Sequence, residues 1–380
     1  MRYSGIFRIG FKLLVNDKAK FFTLLSGITF AVFLMMQMIS MFAGVLNRAC
    51  STVTNIPAAM WIMDPAVNTV ASPIPMPGYV LDAARSMDGV SYAVPIFMGG
   101  ALVKLNSGFY QSVAVVGLDD QSLFGRPTIE QGNIQDIYAD NTFFAVNDTE
   151  FAKLGSPKIG DSFELNDHRG TIVGIAKVAS NGLNGVPTLY TTYNRAIEYI
   201  PSTRFTMSYV LVQPKSDKAV AGIKQQVAKL GYVALTKPEF NQLITNYYTY
   251  KTGIGINILL MTAISFIVGL SISGQTFYAF ILENLEKFGA LKAIGAKNRE
   301  LIYMILFMAA FTSLIGYGLG IGLVALIIVI ARSCMPSYAS MITFWNLGLA
   351  LGMVVLIAGI SSYIGIRKVL KIEPFDIFRG

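Results

Sequence analysis

Four long apolar runs divide the chain into a short N-terminal segment, a large insert of mixed polarity and an apolar C-terminal third. The runs cover residues 21–45, 254–282, 301–331 and 344–366. Each run is longer than the roughly 20 residues that a helix needs to cross about 30 Å of hydrocarbon. The pattern predicts an α-helical membrane protein with four transmembrane helices in a one-plus-three arrangement, and with the insert, residues 46–253, after the first helix.

The insert has the mixed pattern of an α+β domain. Runs rich in Val, Ile and Tyr, separated by turn residues, predict strands at 91–97, 101–105, 112–117, 171–178 and 208–213. Helical spacing predicts helices at 79–87, 148–154, 217–230 with Ser216 as N-cap, and 238–250. Residues 64–78 hold four prolines and predict a loop. We expect a domain of two lobes, in which residues 141–190 form the smaller, β-rich lobe.

Composition and charge identify the chain as an integral membrane protein. It is 53% hydrophobic and only 14% charged, whereas about a quarter of the residues in a soluble domain are charged. The formal net charge is +8, but the insert is balanced, with 16 Lys and Arg against 16 Asp and Glu. Residues 1–20, 283–300 and 367–380 together hold 13 basic and 6 acidic residues. Because the basic excess lies beside membrane helices, we expect it to orient the protein and expect no nucleic-acid partner.

The basic flanks predict the topology. The loop at 332–343 carries only Arg332, in contrast to the three basic flanks. The positive-inside rule therefore places both termini and the 283–300 loop in the cytoplasm, and the insert and the 332–343 loop in the periplasm of a bacterial inner membrane. The first helix should remain uncleaved, because its apolar run is longer than the about 7–15 residues of a signal peptide and no A-x-A site follows it.

The N-terminal segment, residues 3–20, predicts an amphipathic helix at the cytoplasmic membrane surface that leads into the first span. Its polar side carries Arg8, Lys12, Asn16 and Lys20. Its apolar side carries Ile6, Phe7, Phe11, Leu14 and Val15.

Few residues could support catalysis or bind a metal. The chain has no G-x-x-x-x-G-K-[ST] sequence for binding ATP, and its single histidine, His168, is interpreted as a surface residue. Ionisable residues are nearly absent inside the apolar runs, which argues against ion-coupled transport and intramembrane proteolysis. The two cysteines, Cys50 and Cys334, both fall on the predicted outer side. Either they form a disulfide that ties the first helix to the 332–343 loop, or they are separate thiols.

Small residues in the last two apolar runs predict close helix packing. They are Gly316, Gly318, Gly320, Gly322, Gly348 and Gly352. Packing within the four-helix set is the preferred interpretation, and self-association through the same residues is the alternative.

The 283–300 loop predicts a docking site for a partner. Its pattern indicates a charged helical extension, a break around Gly289, a short helix at 290–294, and a second break at Gly295. Leu291 and Ile294 can then point to one side and the lysines to another. A short helix with one apolar side is typical of a docking element, whereas a plain helical hairpin is the alternative.

The loop sequence at 286–296, Glu-Lys-Phe-Gly-Ala-Leu-Lys-Ala-Ile-Gly-Ala, closely resembles the signature of the MacB/FtsX-type (type VII) permeases of ABC transporters. Residues 367–379 resemble the closing basic-Pro-Phe-Arg tail of that family, and the one-plus-three pattern matches it over the whole chain. Residues 56–64 and 89–95 are similar to the stand-alone, DevC-like exporter permeases.

This resemblance implies the permease subunit of a tripartite export pump. A separate ABC ATPase would bind ATP and Mg, and this chain would bind no cofactor and catalyse no reaction. The resemblance also implies a homodimer in the membrane lipid, a periplasmic membrane-fusion adaptor, an outer-membrane duct, and movement of helices that reshapes the periplasmic domain (mechanotransmission). The ATPase contact itself is assigned to seven residues of the 283–300 loop, with residues 5–20 in support. They are Glu286, Lys287, Gly289, Leu291, Lys292, Ile294 and Gly295.

Two other functions fit the same pattern. One is a lipoprotein-extraction (LolCDE-like) permease, which works as an unlike pair. The other is an FtsX-like signalling permease, in which the outer domain controls a hydrolase and nothing is exported. The sequence leaves the substrate open among lipids, glycolipids, peptides and hydrophobic drugs.

Overall fold

The computed structural model describes residues 2–105, 108–179, 182–183, 185–200 and 207–371. The chain divides into a membrane unit, Met1–Gly44 with Ile254–Gly380, and an insert domain, Val45–Gly253. Most of the closing basic segment at 367–379 lies outside the described residues.

Eleven α-helices lie in the described residues. They are α1 (Arg2–Asn16), α2 (Lys18–Ala49), α3 (Ser51–Asn55), α4 (Tyr79–Ser86), α5 (Tyr193–Tyr199), α6 (Ala219–Lys229), α7 (Lys237–Asn246), α8 (Gly253–Glu283), α9 (Leu285–Ala293), α10 (Asn298–Cys334) and α11 (Phe344–Leu370). Four of them, α2, α8, α10 and α11, are long and apolar enough to cross a membrane. They contain the four predicted runs, and the one-plus-three arrangement is confirmed.

The N-terminal helix packs within the membrane unit. Phe7 lies 4.9 Å from Phe307 and Phe11 lies 5.2 Å from Phe311 between ring centroids, and Leu14 is fully buried. The predicted apolar side of α1 therefore packs on α10, with Phe11 still 40% exposed. A continuous helix to residue 20 is wrong, because the helix breaks at Asp17, whose carboxylate accepts from the backbone N–H of Lys20, 3.3 Å away, at the start of α2.

The described part of the insert domain is built on one mixed sheet of ten strands. They are β1 (Met60–Met63), β2 (Val90–Lys104), β3 (Tyr110–Leu118), β4 (Thr128–Gly132), β5 (Thr142–Val146), β6 (Ser162–Leu165), β7 (His168–Lys177), β8 (Thr188–Thr192), β9 (Tyr209–Pro214) and β10 (Val233–Thr236). The order is β10-β1-β9-β2-β3-β8-β5-β7-β4, and β6 pairs with β2 and β7. All five predicted strand regions are strands, and the predicted runs at 91–97 and 101–105 belong to the single long strand β2.

The parallel pair of β3 and β8 joins the two ends of this sheet. The segment at 141–190 supplies β5, β6 and β7 to one end, and β4, from earlier in the chain, pairs with β7 there. The predicted β-rich lobe therefore takes its edge strand from residues 128–132 and shares a continuous sheet with the rest of the domain.

Both faces of the sheet are covered by helices. On one face, Trp61 packs edge-on against Tyr209 and Phe240 at 5.5 and 5.6 Å, with α3 and α7 above them. On the other face, α4 and α6 cover the β10 end, and α5 covers the strands near β5. Burial of these aromatic rings, which removes large apolar areas from water, holds the insert domain together.

Three predicted helices of the insert differ at their ends. The helix predicted at 217–230 begins at Ala219, with Lys218 and not Ser216 as its N-cap, because Ser216 accepts the Ala219 N–H through its backbone carbonyl in a turn. The segment at 148–154 forms only a 3₁₀ turn, Phe151–Leu154. The helix predicted at 238–250 ends at Asn246 and is followed by a π-helical turn, Tyr247–Lys251.

The start of α7 is closed by a capping box between Thr236 and Glu239. Glu239 accepts from the Thr236 backbone N–H at 2.8 Å, and the Lys224 ammonium of α6 donates to Glu239 at 2.6 Å. The hydrogen bond from Lys224 and the cap hold the pKa of Glu239 at about 2, below its usual 4.5. The pair is partly exposed, with the side chain of Glu239 46% accessible, so solvent screening limits its contribution to stability.

We predict that Glu239→Gln lowers the free energy of unfolding of the insert domain at pH 7 by about 1 kcal/mol. Because the folded pKa is depressed, this contribution is complete above pH 4.5 and is lost as the pH falls toward 2. The difference between the wild-type protein and the variant should therefore shrink in acid. Pulse proteolysis of the full chain in detergent at pH 7 and pH 3 measures it, and an equal difference at both pH values would contradict the assignment.

Candidate functional site

Helix α9 is set apart by two breaks in the chain. The first lies at Asn284, whose buried side chain donates to the Phe280 carbonyl at 2.8 Å and accepts from the Lys287 ammonium at 2.8 Å. An asparagine side chain that bonds the preceding turn competes with the helical backbone. The predicted break around Gly289 is wrong, because Gly289 lies buried inside α9 and the break falls five residues earlier, at Asn284.

The second break is at Gly295, as predicted. Its φ of +99° lies in the left-handed region, which favours glycine, and the Gly295 N–H donates to the Lys292 carbonyl at 3.1 Å. Lys297 then precedes α10, and its N–H donates to the Glu300 carboxylate at 2.8 Å. The chain therefore turns sharply between α9 and α10.

One side of α9 is anchored in the membrane unit. Phe288 is fully buried in the apolar core of that unit, and Leu291 packs against the same core. Lys292 donates to the Leu370 carbonyl at the end of α11, 3.3 Å away. Phe288, Leu291 and Lys292 lie on one side of the helix, and their contacts fix α9 relative to the membrane helices.

The other side of α9 faces outward. Ile294 is 84% exposed, and Glu286 and Lys287 are exposed as well. Leu291 and Ile294 therefore do not share one outward face as the pattern suggested, because Leu291 packs against the core whereas Ile294 lies at the C-cap, where the chain leaves the helix. The exposed isoleucine beside charged residues can contact a partner, whereas Leu291 contributes to the fold.

The glycines of α10 divide into two pairs with different surroundings. A Cβ at Gly316 or Gly320 would lie 2.6 Å from Ile28 or Val32 of α2, respectively. Gly316 and Gly320 thus pack within the chain, as predicted.

The other four glycines do not pack within the described chain. A Cβ at Gly318, Gly322, Gly348 or Gly352 would meet no atom within 4 Å. Two residues advance a helix by about 200°, so Gly318 and Gly322 lie opposite the α2 contact. Gly348 and Gly352 are likewise two positions from the buried Asn346, Ala350 and Val354. The expectation of intramolecular packing is wrong at these four positions, which are open for contact with lipid or another chain.

The insert domain contains a cavity of about 610 Å³, which we call the insert groove. Its lining residues include positions of α3 and of the middle parts of β2, β3 and β8. The sequence pattern did not predict the insert groove, because strand register decides which small residues become neighbours. Its only sequence signal is the pair Gly99-Gly100 inside a strand.

The residues with possible redox or metal chemistry are separate from each other. Among the described residues, no group of three His, Cys, Asp or Glu could hold a metal ion. His168 is exposed, and its ring lies tilted against that of Tyr199 with 4.8 Å between centroids, which confirms it as a surface residue. Cys50 and Cys334 are free thiols, and burial raises the pKa of the Cys50 thiol.

Two family models match the chain. The model described as the MacB-like periplasmic core domain matches residues 21–230, more than half of the chain. The model described as the FtsX-like permease C-terminal region matches residues 256–374. The two matches follow each other along the chain and together include all four membrane helices.

Similar sequences occur in distant organisms. An uncharacterised ABC transporter permease of Methanocaldococcus jannaschii is 22% identical over 233 residues, which cover 59% of this chain and 58% of that protein. The putative hemin transport system permease protein HrtB of Staphylococcus haemolyticus is 27% identical over 122 residues, 32% of this chain and 34% of HrtB. The chain therefore matches less than two thirds of either relative's length. An uncharacterised permease of Mycobacterium tuberculosis is 23% identical over 316 residues, 81% of this chain and 80% of that protein.

Two solved structures are similar to part of this chain. The extracellular domain of the ABC-type transporter YknZ from Gram-positive bacteria has a TM-score of 0.37 and 13% identity, and covers 47% of this chain and 99% of that domain. The periplasmic region of MacB from Actinobacillus actinomycetemcomitans has a TM-score of 0.38 and 11% identity, and covers 51% of this chain and 96% of that region.

We predict that Gly320→Ala destabilises the membrane unit by about 1–3 kcal/mol, because the added methyl group overpacks the contact with Val32 and with the Thr29 carbonyl. The control is Gly359→Ala in α11, where an added Cβ meets no atom within 4 Å, and it should leave stability unchanged or slightly higher. Thermal unfolding of the full chain in detergent measures both. Equal effects of the two variants would refute this packing arrangement.

Proposed function

The chain belongs to the MacB/FtsX-type permeases of ABC transporters, and we propose that it is the permease subunit of a tripartite exporter driven by a separate ATPase. ATP and magnesium bind to that ATPase, and this chain contributes no catalytic group and no cofactor. Its role is to carry movement from the ATPase to the insert domain. The observation that carries this proposal is the anchored helix α9, which is held on one side and exposed on the other.

The ATPase docks on the exposed side of α9. Glu286, Lys287 and Ile294 supply the contact surface, while Leu291 and Lys292 transmit its displacement to the membrane helices and to α11. Gly289 permits the helix to lie close to the core, and Gly295 provides the turn into α10. The seven residues of the loop therefore have two different roles, contact and attachment.

The basic flanks support an orientation in which α9 and both termini face the cytoplasm. The insert domain then lies in the periplasm, on the far side of the inner membrane. The chain enters the insert domain after α2, which ends at Ala49, and leaves it before α8, which begins at Gly253. Movement of either membrane helix is thus delivered through the backbone to an end of the insert domain.

The interior of the membrane unit supports a role in transmission over a role as a conduit. Among the described residues, the buried polar side chains of α8, α10 and α11 are Ser, Thr and Asn, and none is ionisable. A path for a polar substrate or an ion through hydrocarbon needs polar groups that replace its hydration. We therefore propose that substrate is expelled by the insert domain and does not pass between these helices.

The remaining partners follow from the same role. A second copy of the chain packs against the open glycines of α10 and α11, where small residues allow close approach of helices. A periplasmic adaptor and an outer-membrane duct complete the pump, in line with the match of residues 21–230 to the MacB-like model. Genes for an adaptor and a duct beside the gene for this chain would favour export, whereas a hydrolase that co-purifies with it would favour the signalling function.

We predict that Ile294→Asp reduces co-purification of the partner ATPase with the full chain at least tenfold, because it places a charge in an apolar contact. The control is Ile159→Asp, the same change at a 46% exposed isoleucine of the insert domain, which should leave the ATPase bound. Leu291→Asp is measured separately, because Leu291 packs on the membrane core and its loss can unfold the chain. Retention of the ATPase by well-folded Ile294→Asp protein would disprove the docking site.

A further inference from the structure

The floor of the insert groove is one face of three neighbouring strands. Gly100 of β2 lies opposite Ala114 of β3, and Ala114 lies beside Thr188 of β8. Residues in register on neighbouring strands share a face of the sheet. Three small residues therefore form a row across the sheet. A Cβ added at Gly100 would meet only the Val113 carbonyl oxygen, at 4.0 Å. This row gives the insert groove its depth.

The next row along the strands closes one end of the insert groove. Met98, Val116 and Tyr190 follow in register, and their larger side chains reach the core under α3 and α7. Polar groups gather at this end. They are supplied by Arg48, Ser51, Thr52, Asn55, Asp148 and Tyr248. Away from this end, the wall consists of backbone, of small or apolar side chains, and of Asn166, whose side-chain amide already accepts from the Leu102 N–H and donates to the Tyr199 carbonyl.

The charged groups at the polar end influence each other. Burial raises the pKa of Asp148, and the charge of Arg48 opposes that rise. Burial and the charge of Asp148 raise the pKa of Tyr190, which remains a hydroxyl donor. The polar end thus contains interacting charges and hydrogen-bonding groups, whereas the three floor residues carry no charge.

We propose that the insert groove binds one lipid-like amphiphile, with its apolar chain over Gly100, Ala114 and Thr188 and its polar head at Arg48, Ser51 and Asp148. The volume of about 610 Å³ lies within the range of about 300–1,000 Å³ typical of small-ligand sites. The inference goes beyond the proposed transmission role and does not require export, because binding to the insert domain alone is claimed.

Other occupants fit the insert groove less well. A peptide strand cannot extend the sheet there, because β2, β3 and β8 are paired on both sides. A uniformly polar molecule would leave its groups unsatisfied over the apolar floor.

The test uses the full-length chain in detergent with a diazirine-bearing palmitate as the probe, followed by photolysis and mass spectrometry. We expect labelled peptides from β2, β3 or α3. Gly100→Leu should lower this labelling at least fivefold, because it fills the floor of the insert groove. The control is Gly222→Leu on the exposed side of α6, where a Cβ also meets no atom, and it should label like the wild-type protein. Pulse proteolysis verifies that both variants are folded.

Competition identifies the class of ligand. Displacement of the label by a lysophospholipid would support a lipid-like occupant. Displacement by a hydrophobic hexapeptide and not by the lysophospholipid would overturn the proposal in favour of a peptide site. Labelling confined to residues 18–44 and to α8, α10 and α11, or labelling unchanged in Gly100→Leu, would also overturn it. No ATPase is present, so these outcomes are independent of the docking and export proposed above.

Discussion

The requirement that backbone polar groups be satisfied inside hydrocarbon determines the arrangement of the whole chain. In a bilayer core, N–H and C=O groups have no water to bond, so a single segment can cross only as a helix. Four helices meet this requirement, and all irregular structure of the membrane unit lies at their ends. Both the break at Asn284 and the turn at Gly295 occur where the apolar runs stop, which is where a partner can reach the backbone.

Close contact between α2 and α10 then fixes the membrane unit. Gly316 and Gly320 allow the side chains of Ile28 and Val32 to approach the α10 backbone directly. Without a hydrophobic driving force between helices in lipid, such close packing is a main source of association. The helix α1 adds to it through the aromatic contacts of Phe7 and Phe11 with α10, so the N-terminal segment stabilises the same helix from a second side.

The sequence allowed the membrane helices to be predicted because length and apolarity alone decide them. It did not reveal β1 or β5, since each is only four or five residues long and entirely buried, and so lacks the alternation that marks a half-exposed strand. In the α9 segment, Gly295 was identifiable from its chemistry, but Asn284 was overlooked although an asparagine at a helix end competes for backbone groups. Which glycines of α10 face α2 depends on where α2 lies in the folded chain, and the local sequence of α10 does not determine that position.

The position of β1 has a consequence for synthesis of the protein. Met60–Met63 is entirely buried and pairs on one side with β9 and on the other with β10. Both partners are made roughly 150 to 170 residues later, so a long loop must close before β1 can pair. The entropy lost in closing this loop opposes folding until the strand contacts form. Until β9 and β10 have been synthesised, β1 has no partner strand to form backbone hydrogen bonds with on either side. The sheet can be completed only after residue 236 has left the ribosome, when α2 has already been made and α8 is about to follow.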